Sequence, residues 1–283
     1  MPPRSKPTAR QARLGAELRK LRERAGMTSR EAAERLGVSP MQMSHMEVGR
    51  IGVSESRVRA LMAQYGCHDD GLTDALAAMT KGRQRGWWET FRGLLPDVTL
   101  DLAEFEHYAH RLRALQVVHI PGLLQTENYM RSMLGQAMPD LTAEELDRII
   151  EFRLQRQRVL ESEEPPTLGA VIHEAALRIR VGSRVTAREQ LHALLDAAGR
   201  PGVQVRVVPF ETDGFTGSGF SMHYMEGVVR QLDTAQFDTV HGSVFVDDVR
   251  QLAGYRDVLD RAEKVALSGS ATRQFIHRIA SDL

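Results

Sequence analysis

The chain has 283 residues, 42% of them hydrophobic, with 37 basic and 37 acidic side chains, enough for two domains and a sizeable core. It holds no run of eighteen apolar residues, which excludes a membrane-spanning helix, and its first residues, MPPRSKPTAR, lack the apolar segment of a signal peptide. The single Cys67 excludes an internal disulfide and a cysteine-rich zinc site, so a cytoplasmic location is expected.

The zero net charge hides an asymmetry. Residues 1–85 carry 16 Lys+Arg against 9 Asp+Glu, or +7, leaving 21 against 28, or −7, for residues 86–283. A basic N-terminal half is the electrostatic footprint of a nucleic-acid-binding module joined to a domain that does not bind nucleic acid. Residues 1–9 have no periodic apolar pattern and are expected to be a disordered tail.

From Gln11 to Ala25, the helical spacing of Leu14, Leu18 and Leu21 predicts a helix that Gly26 ends. Thr28-Ser29-Arg30-Glu31 and Ser39-Pro40-Met41-Gln42 each have the form of a capping box, the second with Pro at the first helical position. Gly37 lies between them, where a helix must stop in a left-handed conformation. Two capped helices of about eight residues around one glycine predict a helix-turn-helix that binds duplex DNA through its second helix. Ala32, Ala33, Leu36, Val38, Met43 and Met46 are its inward positions, and Ala33 is small where the two helices should cross. Val58, Leu61, Met62 and Tyr65 predict a fourth helix; Leu72, Ala75, Leu76 and Met79 predict a fifth.

These residues resemble the Xre-type repressor domain, the family of the lambdoid phage repressors. The resemblance rests on Leu18-x-x-Leu21-Arg22, Gly26-Met27-Thr28, Ala33, Leu36-Gly37-Val38-Ser39 and Ser44-His45-Met46-Glu47-x-Gly49-Arg50. It implies a structural pair between Arg22 and Glu47. It also implies that Pro40, Met41, Gln42, Ser44 and His45 face base edges in the major groove, with Ser29, Arg30, Ser39 and Arg50 at the phosphates. Pro40 and Met41 are poor hydrogen-bonders, and Gln42 has a competing task in its capping box, so base readout should rest on few contacts or on DNA shape.

Gly82 to Gly86 is expected to be a linker, and Trp87 and Trp88 to anchor a second domain over 86–283. Helices are then expected over 99–118, with Leu102, Phe105, Ala109, Leu112 and Leu115 on one side, over 123–134, and from the capping box at Thr142 to Leu160. Arg148, Arg153, Arg156 and Arg158 on the last of these read as a solvated face rather than an anion site. Beyond Pro165-Pro166, 168–172 and 203–208 read as strands joined by helical sequence, a parallel pair. A hairpin is expected from 220–225 and 228–232, with a last strand at 243–246 and helices over 247–267 and 268–280. The fold class is therefore mostly α: an all-α, lambda-repressor-like N-terminal domain, 1–85, and a C-terminal α+β domain, 86–283, with a small mixed sheet.

Gly86-Trp87-Trp88-Glu89, Ile120-Pro121-Gly122-Leu123-Leu124-Gln125-Thr126 with Tyr129, Arg153-x-x-Arg156-Gln157, Glu174-Ala175-Ala176-Leu177, Arg188-Glu189-Gln190-Leu191 and Val207-Val208-Pro209-Phe210 carry a second resemblance. They resemble the C-terminal domain of unknown function of actinobacterial Xre regulators, the WhiJ-like and antitoxin-like group. That resemblance implies a transcriptional regulator whose second domain binds a small protein encoded by an adjacent gene, or a ligand. A homodimer on DNA is expected, since one recognition helix covers only a few base pairs.

No catalytic set, cofactor or metal site is expected, and the chain is not read as an enzyme. His107 and His110 have i, i+3 spacing without a third ligand, and Phe215 to Gly219 is Gly-rich without the Lys-Ser/Thr of a phosphate loop. Two alternatives stay open. One is an antitoxin-type protein that neutralises a small partner and regulates its own gene. The other is an enzyme with a DNA-targeting domain, for which a pocket around His173 and Glu174 would be the sign.

Overall fold

The computed structural model describes residues 6–80, 86–215, 219–240 and 242–283. The chain forms two compact units, one of residues 1–105 with 228–231, the other of residues 106–227 with 232–283. Most of the tail and linker read from the sequence, at 1–5 and 82–85, lies outside the described residues, as do 216–218 of the Gly-rich stretch.

The first unit is helical: α1 (Ala9–Arg24), α2 (Ser29–Leu36), α3 (Pro40–Glu47), α4 (Glu55–Gln64), α5 (Asp70–Met79), a 3-10 turn at Trp87–Phe91, and α6 (Asp97–Tyr108) as far as Phe105. Thr8 opens α1 with a capping box to Gln11, so the expected tail is helical from Ala9. The stretch 86–105, read as the start of the second domain, packs with the first unit instead. Asp101 Oδ1 accepts from the Ala9 N–H at 2.9 Å, and Trp88, Phe91 and Leu100 are buried. Trp88 is buried in the first unit, and Trp87 is half-buried.

The second unit is built on a six-stranded mixed sheet in the order β3-β2-β1-β4-β5-β6. Its strands are β1 (Arg111–Gln116), β2 (Thr167–His173), β3 (Val203–Val208), β4 (Met222–Glu226), β5 (Thr234–Thr239) and β6 (Gly242–Val246). β1, β2 and β3 are parallel and the remaining pairs antiparallel. The helices are α7 (Glu127–Ala137), α8 (Ala143–Gln157), α9 (Glu174–Arg178), α10 (Arg184–Ala197), α11 (Val249–Val265) and α12 (Gly269–Asp282). One sheet face, with Leu115, Val171, Met222, Tyr224 and Ala235, packs on Leu252, Leu259 and Ala262 of α11.

The helix expected over 99–118 stops at Tyr108, and β1 follows as a central strand. Buried on both faces, β1 shows no alternation, and its Leu112 and Leu115 happen to keep helical spacing. Arg113 is admitted to this strand because Asp260 and Glu263 of α11 hold its guanidinium at 2.7 and 2.9 Å. His110 lies beyond the helix end, so the His107/His110 spacing is not helical.

The second arm of the expected hairpin is shifted: residues 230–232 form a 3-10 turn and the strand starts at Thr234. Asp233 sets that start, accepting from the Tyr224 hydroxyl at 2.8 Å, the Gly227 N–H at 3.0 Å and Arg256 at 2.9 Å. The arginine face of α8 is not uniformly solvated either. Arg156 is buried, with its Nε 2.9 Å from Glu106.

Candidate nucleic-acid interface

Both motif helices are closed by the residues that the local pattern marks. Thr28 Oγ1 accepts from the Glu31 N–H, and Glu31 Oε2 accepts from the Thr28 N–H at 2.8 Å. The bonds that the Thr28 N–H and then the Thr28 hydroxyl donate to Glu31 Oε2 hold the Glu31 carboxyl below its usual range. Ser39 and Gln42 repeat the arrangement at the start of α3, with Gln42 Oε1 accepting from the Ser39 N–H at 3.0 Å. Gly37 takes φ 69° and ψ 33°, the left-handed stop between them. Ala32, Ala33, Met43 and Met46 are buried between the helices.

Arg22 and Glu47 are brought together. Arg22 Nε donates to Glu47 Oε1 at 2.6 Å, Nη2 donates to Oε2 at 3.0 Å, and Nη1 donates to the Met27 carbonyl at 2.7 Å. One guanidinium thus ties the end of α1, the turn before α2 and the end of α3. Its hydrogen bond to Glu47 raises the Arg22 pKa. Burial and the nearby Glu47 carboxylate push the Tyr65 hydroxyl up to about 12.

Two glycines complete the support, Gly49 of the motif and Gly15, which the sequence reading missed. A Cβ on Gly15 of α1 would lie 2.5 Å from the Glu47 carbonyl oxygen and 2.6 Å from that of Met46. Gly49 has φ +75°, and a Cβ there would meet Ala12 N at 2.8 Å. The backbone of α1 therefore touches the backbone at the end of α3. A glycine in mid-helix, which costs about 1 kcal/mol against alanine, was the available signal.

The expected base-readers lie on the side of α3 away from Met43 and Met46. Pro40, Met41, Gln42 and Ser44 are exposed, Met41 at 69%, and His45 is half-buried. The capping bond uses only the carbonyl oxygen of Gln42, and its amide NH2 is not needed there. Of the expected phosphate contacts, Ser39 and Arg50 are exposed and Ser29 half-buried. Arg30 is exposed but shares its guanidinium with Glu34 at 3.1 Å. No carboxylate is within ion-pair distance of Arg50 among the described residues.

In the second unit, His173 and Glu174 are engaged locally. The His173 ring accepts from the Ala175 N–H at 3.2 Å, capping α9, and Glu174 Oε2 accepts from the Phe210 N–H at 2.8 Å.

Residues 13–76 match the helix-turn-helix domain family, and residues 99–278, more than half of the chain, match the family described as a domain of unknown function, DUF5753. The chain belongs to the DUF5753 family. Its N-terminal unit is a DNA-binding helix-turn-helix domain. No curated protein matches the chain, and no solved structure does. Among the described residues no helix is long and apolar enough to cross a membrane.

Proposed function

We propose that the chain is a sequence-specific transcriptional regulator without enzymatic activity. It binds operator DNA as a homodimer, and its second unit binds a small protein partner or a ligand that changes operator occupancy. The observation that carries this reading is the exposed face of α3, Pro40 to His45, on a helix fixed from behind by Arg22 and Gly15. A rigid, solvent-facing helix with two capped neighbours suits the major groove. The −7 charge of residues 86–283 argues against a second DNA surface there.

The test is titration of the full chain against the DNA upstream of its own gene at several salt concentrations. Binding should weaken with log K falling by about 0.9 per phosphate neutralised per log unit of salt. The DNA length protected should correspond to two half-sites about one helical turn, or a multiple of it, apart. No binding at low salt overturns the reading.

A further inference from the structure

The two edges of the six-stranded sheet are built differently. An edge strand presents a row of unpaired N–H and C=O groups, which folded proteins cover, charge or interrupt with proline. At the β3 edge Leu267 supplies a cover. Its N–H donates to the Val207 carbonyl at 2.8 Å, and the Val207 N–H donates back to its carbonyl at 3.4 Å. That strand also carries the charge of Arg206. At the opposite edge, β6 pairs with β5 and with no other strand among the described residues. Its sequence, Gly242-Ser243-Val244-Phe245-Val246, has no proline and no charged side chain. Valine and phenylalanine, which favour strand pairing, fill three of its five positions.

The side chains of β6 carry the apolar layer of the sheet out to this open edge. Register sets Val246 beside Ala235 and Val244 beside Phe237, on the face that α11 covers. Phe237 meets Tyr255 of α11 and Phe220, with ring centroids 4.8 and 5.8 Å away. Val246 is half-buried against that layer, whereas Val244, in the middle of the strand, is 49% exposed. The Asp238 carboxylate of β5 is engaged within the hairpin: its Oδ1 accepts from Gln236 Nε2 at 2.7 Å and from Ser243 Oγ at 2.6 Å.

We propose that β6 is the surface through which two copies of this chain pair, edge to edge and antiparallel, so that their sheets become one. An antiparallel strand pair has the two-fold symmetry of a closed homodimer. Side chains alternate between the two faces, so a two-fold axis through the sheet passes at a residue position. Of the possible centres, Val244 alone pairs all five residues of the strand. It sets Val244 against the partner's Val244, Ser243 against the partner's Phe245, and Gly242 against the partner's Val246. Small side chains thus meet large ones, and no like charges are placed opposite each other. A charged strand from another protein would find no counter-charge on β6, whereas an uncharged copy of itself needs none. The inference rests on the reading of the chain as a homodimer and supplies the surface that joins the two copies.

The experiment uses the full chain without DNA. In a Cys67→Ser background, which removes the single native thiol, single cysteines report the register. Residues directly opposite in an antiparallel pair have Cα atoms about 4.5–5.5 Å apart, within reach of a disulfide. Val244→Cys should therefore cross-link to a dimer under mild oxidation. Ser243→Cys and Phe245→Cys should each fail to cross-link alone and should cross-link when mixed and left to exchange. Val185→Cys, at an exposed valine of α10, is the control and should not cross-link. With the native sequence, sedimentation should show a dimer that Val244→Lys weakens about tenfold or more, because it sets like charges opposite. If Val244→Lys does not fold, the cross-linking set decides. A monomer at every concentration, as when β6 receives a strand of another protein instead, overturns the interface. So does cross-linking that ignores position, or a dimer that Val244→Lys leaves unchanged. Two protected half-sites on DNA beside any of these results would leave the operator reading standing, so the two failures are distinct.

Discussion

Arg22 and Glu47 meet through two parallel hydrogen bonds, with 9% and 6% of their side chains exposed. Twenty-five residues separate them in sequence, so the pair joins α1 to the end of the recognition helix across the whole motif. A buried pair of this kind is costly to break one-sidedly, because the survivor is left as an uncompensated buried charge. Arg22→Ala or Glu47→Ala should each destabilise the chain by about 3–5 kcal/mol in urea denaturation. The double change Arg22→Met with Glu47→Leu should recover most of that loss. Equal destabilisation by the double variant would show that the pair does more than satisfy its own charges.

Gly15 and Gly49 give a second test of how the recognition helix is held. A methyl group on Gly15 would run into two backbone carbonyls, which cannot rotate away as a side chain would. Gly15→Ala should cost about 1–3 kcal/mol. It should also reduce operator affinity in urea-free buffer, where the protein is still folded. Gly135, another mid-helix glycine with open space around it, is the control; Gly135→Ala should be neutral or stabilising. If both alanine variants behave alike, α1 does not press on α3.

Much of this was legible in the sequence because it obeys local rules. Each capping box lies within four residues, and Thr28, Ser39 and Gly37 need no tertiary information to be read. Strand β1 was not legible. Its residues are buried on both faces, so the period-2 signal is absent, and Arg113 in its middle looks like a surface residue until α11 supplies Asp260 and Glu263 from about 150 positions away. The arginines of α8 failed for the same reason: the Glu106 that buries Arg156 lies fifty residues upstream. Asp233 starts β5 by gathering Tyr224, Gly227 and Arg256, an arrangement that only the folded sheet brings together.

Base reading should separate from backbone holding. Gln42→Glu keeps the capping acceptor for the Ser39 N–H but removes the amide donor, so it tests readout without loosening α3. It and His45→Ala should each cost about 1–3 kcal/mol on the operator and little on random duplex. Arg50→Ala should weaken all duplexes alike and reduce the salt slope by about 1. Competition binding with operator and scrambled DNA distinguishes these outcomes. Unchanged operator selection by both the Gln42 and His45 variants would mean that other side chains read the bases.

Tyr65 has a buried hydroxyl without a hydrogen-bond partner, close to Glu47. An unsatisfied buried hydroxyl costs about 1–3 kcal/mol. Tyr65→Phe should therefore leave the chain as stable as before or more so, as read from the urea midpoint. Clear destabilisation would mean that the hydroxyl has a partner after all.

His223 should make stability depend on pH in a defined window. Burial first, and then the charges of Arg156 and Arg153, push its pKa down to about 4 from an ordinary 6.5, while Asp238 acts in the opposite direction. Between those values the unfolded chain binds a proton that the folded chain refuses, so stability rises with pH there. The contribution is complete above about pH 6.5 and is lost as pH falls towards 4, with a slope of at most about 1.4 kcal/mol per pH unit. Glu106 works with the opposite sign: burial raises its pKa, so the folded chain takes up that proton first on acidification. The informative quantity is accordingly the difference between wild type and His223→Gln, from which the Glu106 effect cancels to first order. Urea midpoints at pH 7, 6, 5 and 4.5 should converge as pH falls, because the variant loses nothing at position 223. A constant offset across that range would show that the imidazole is free to take its proton in the folded state.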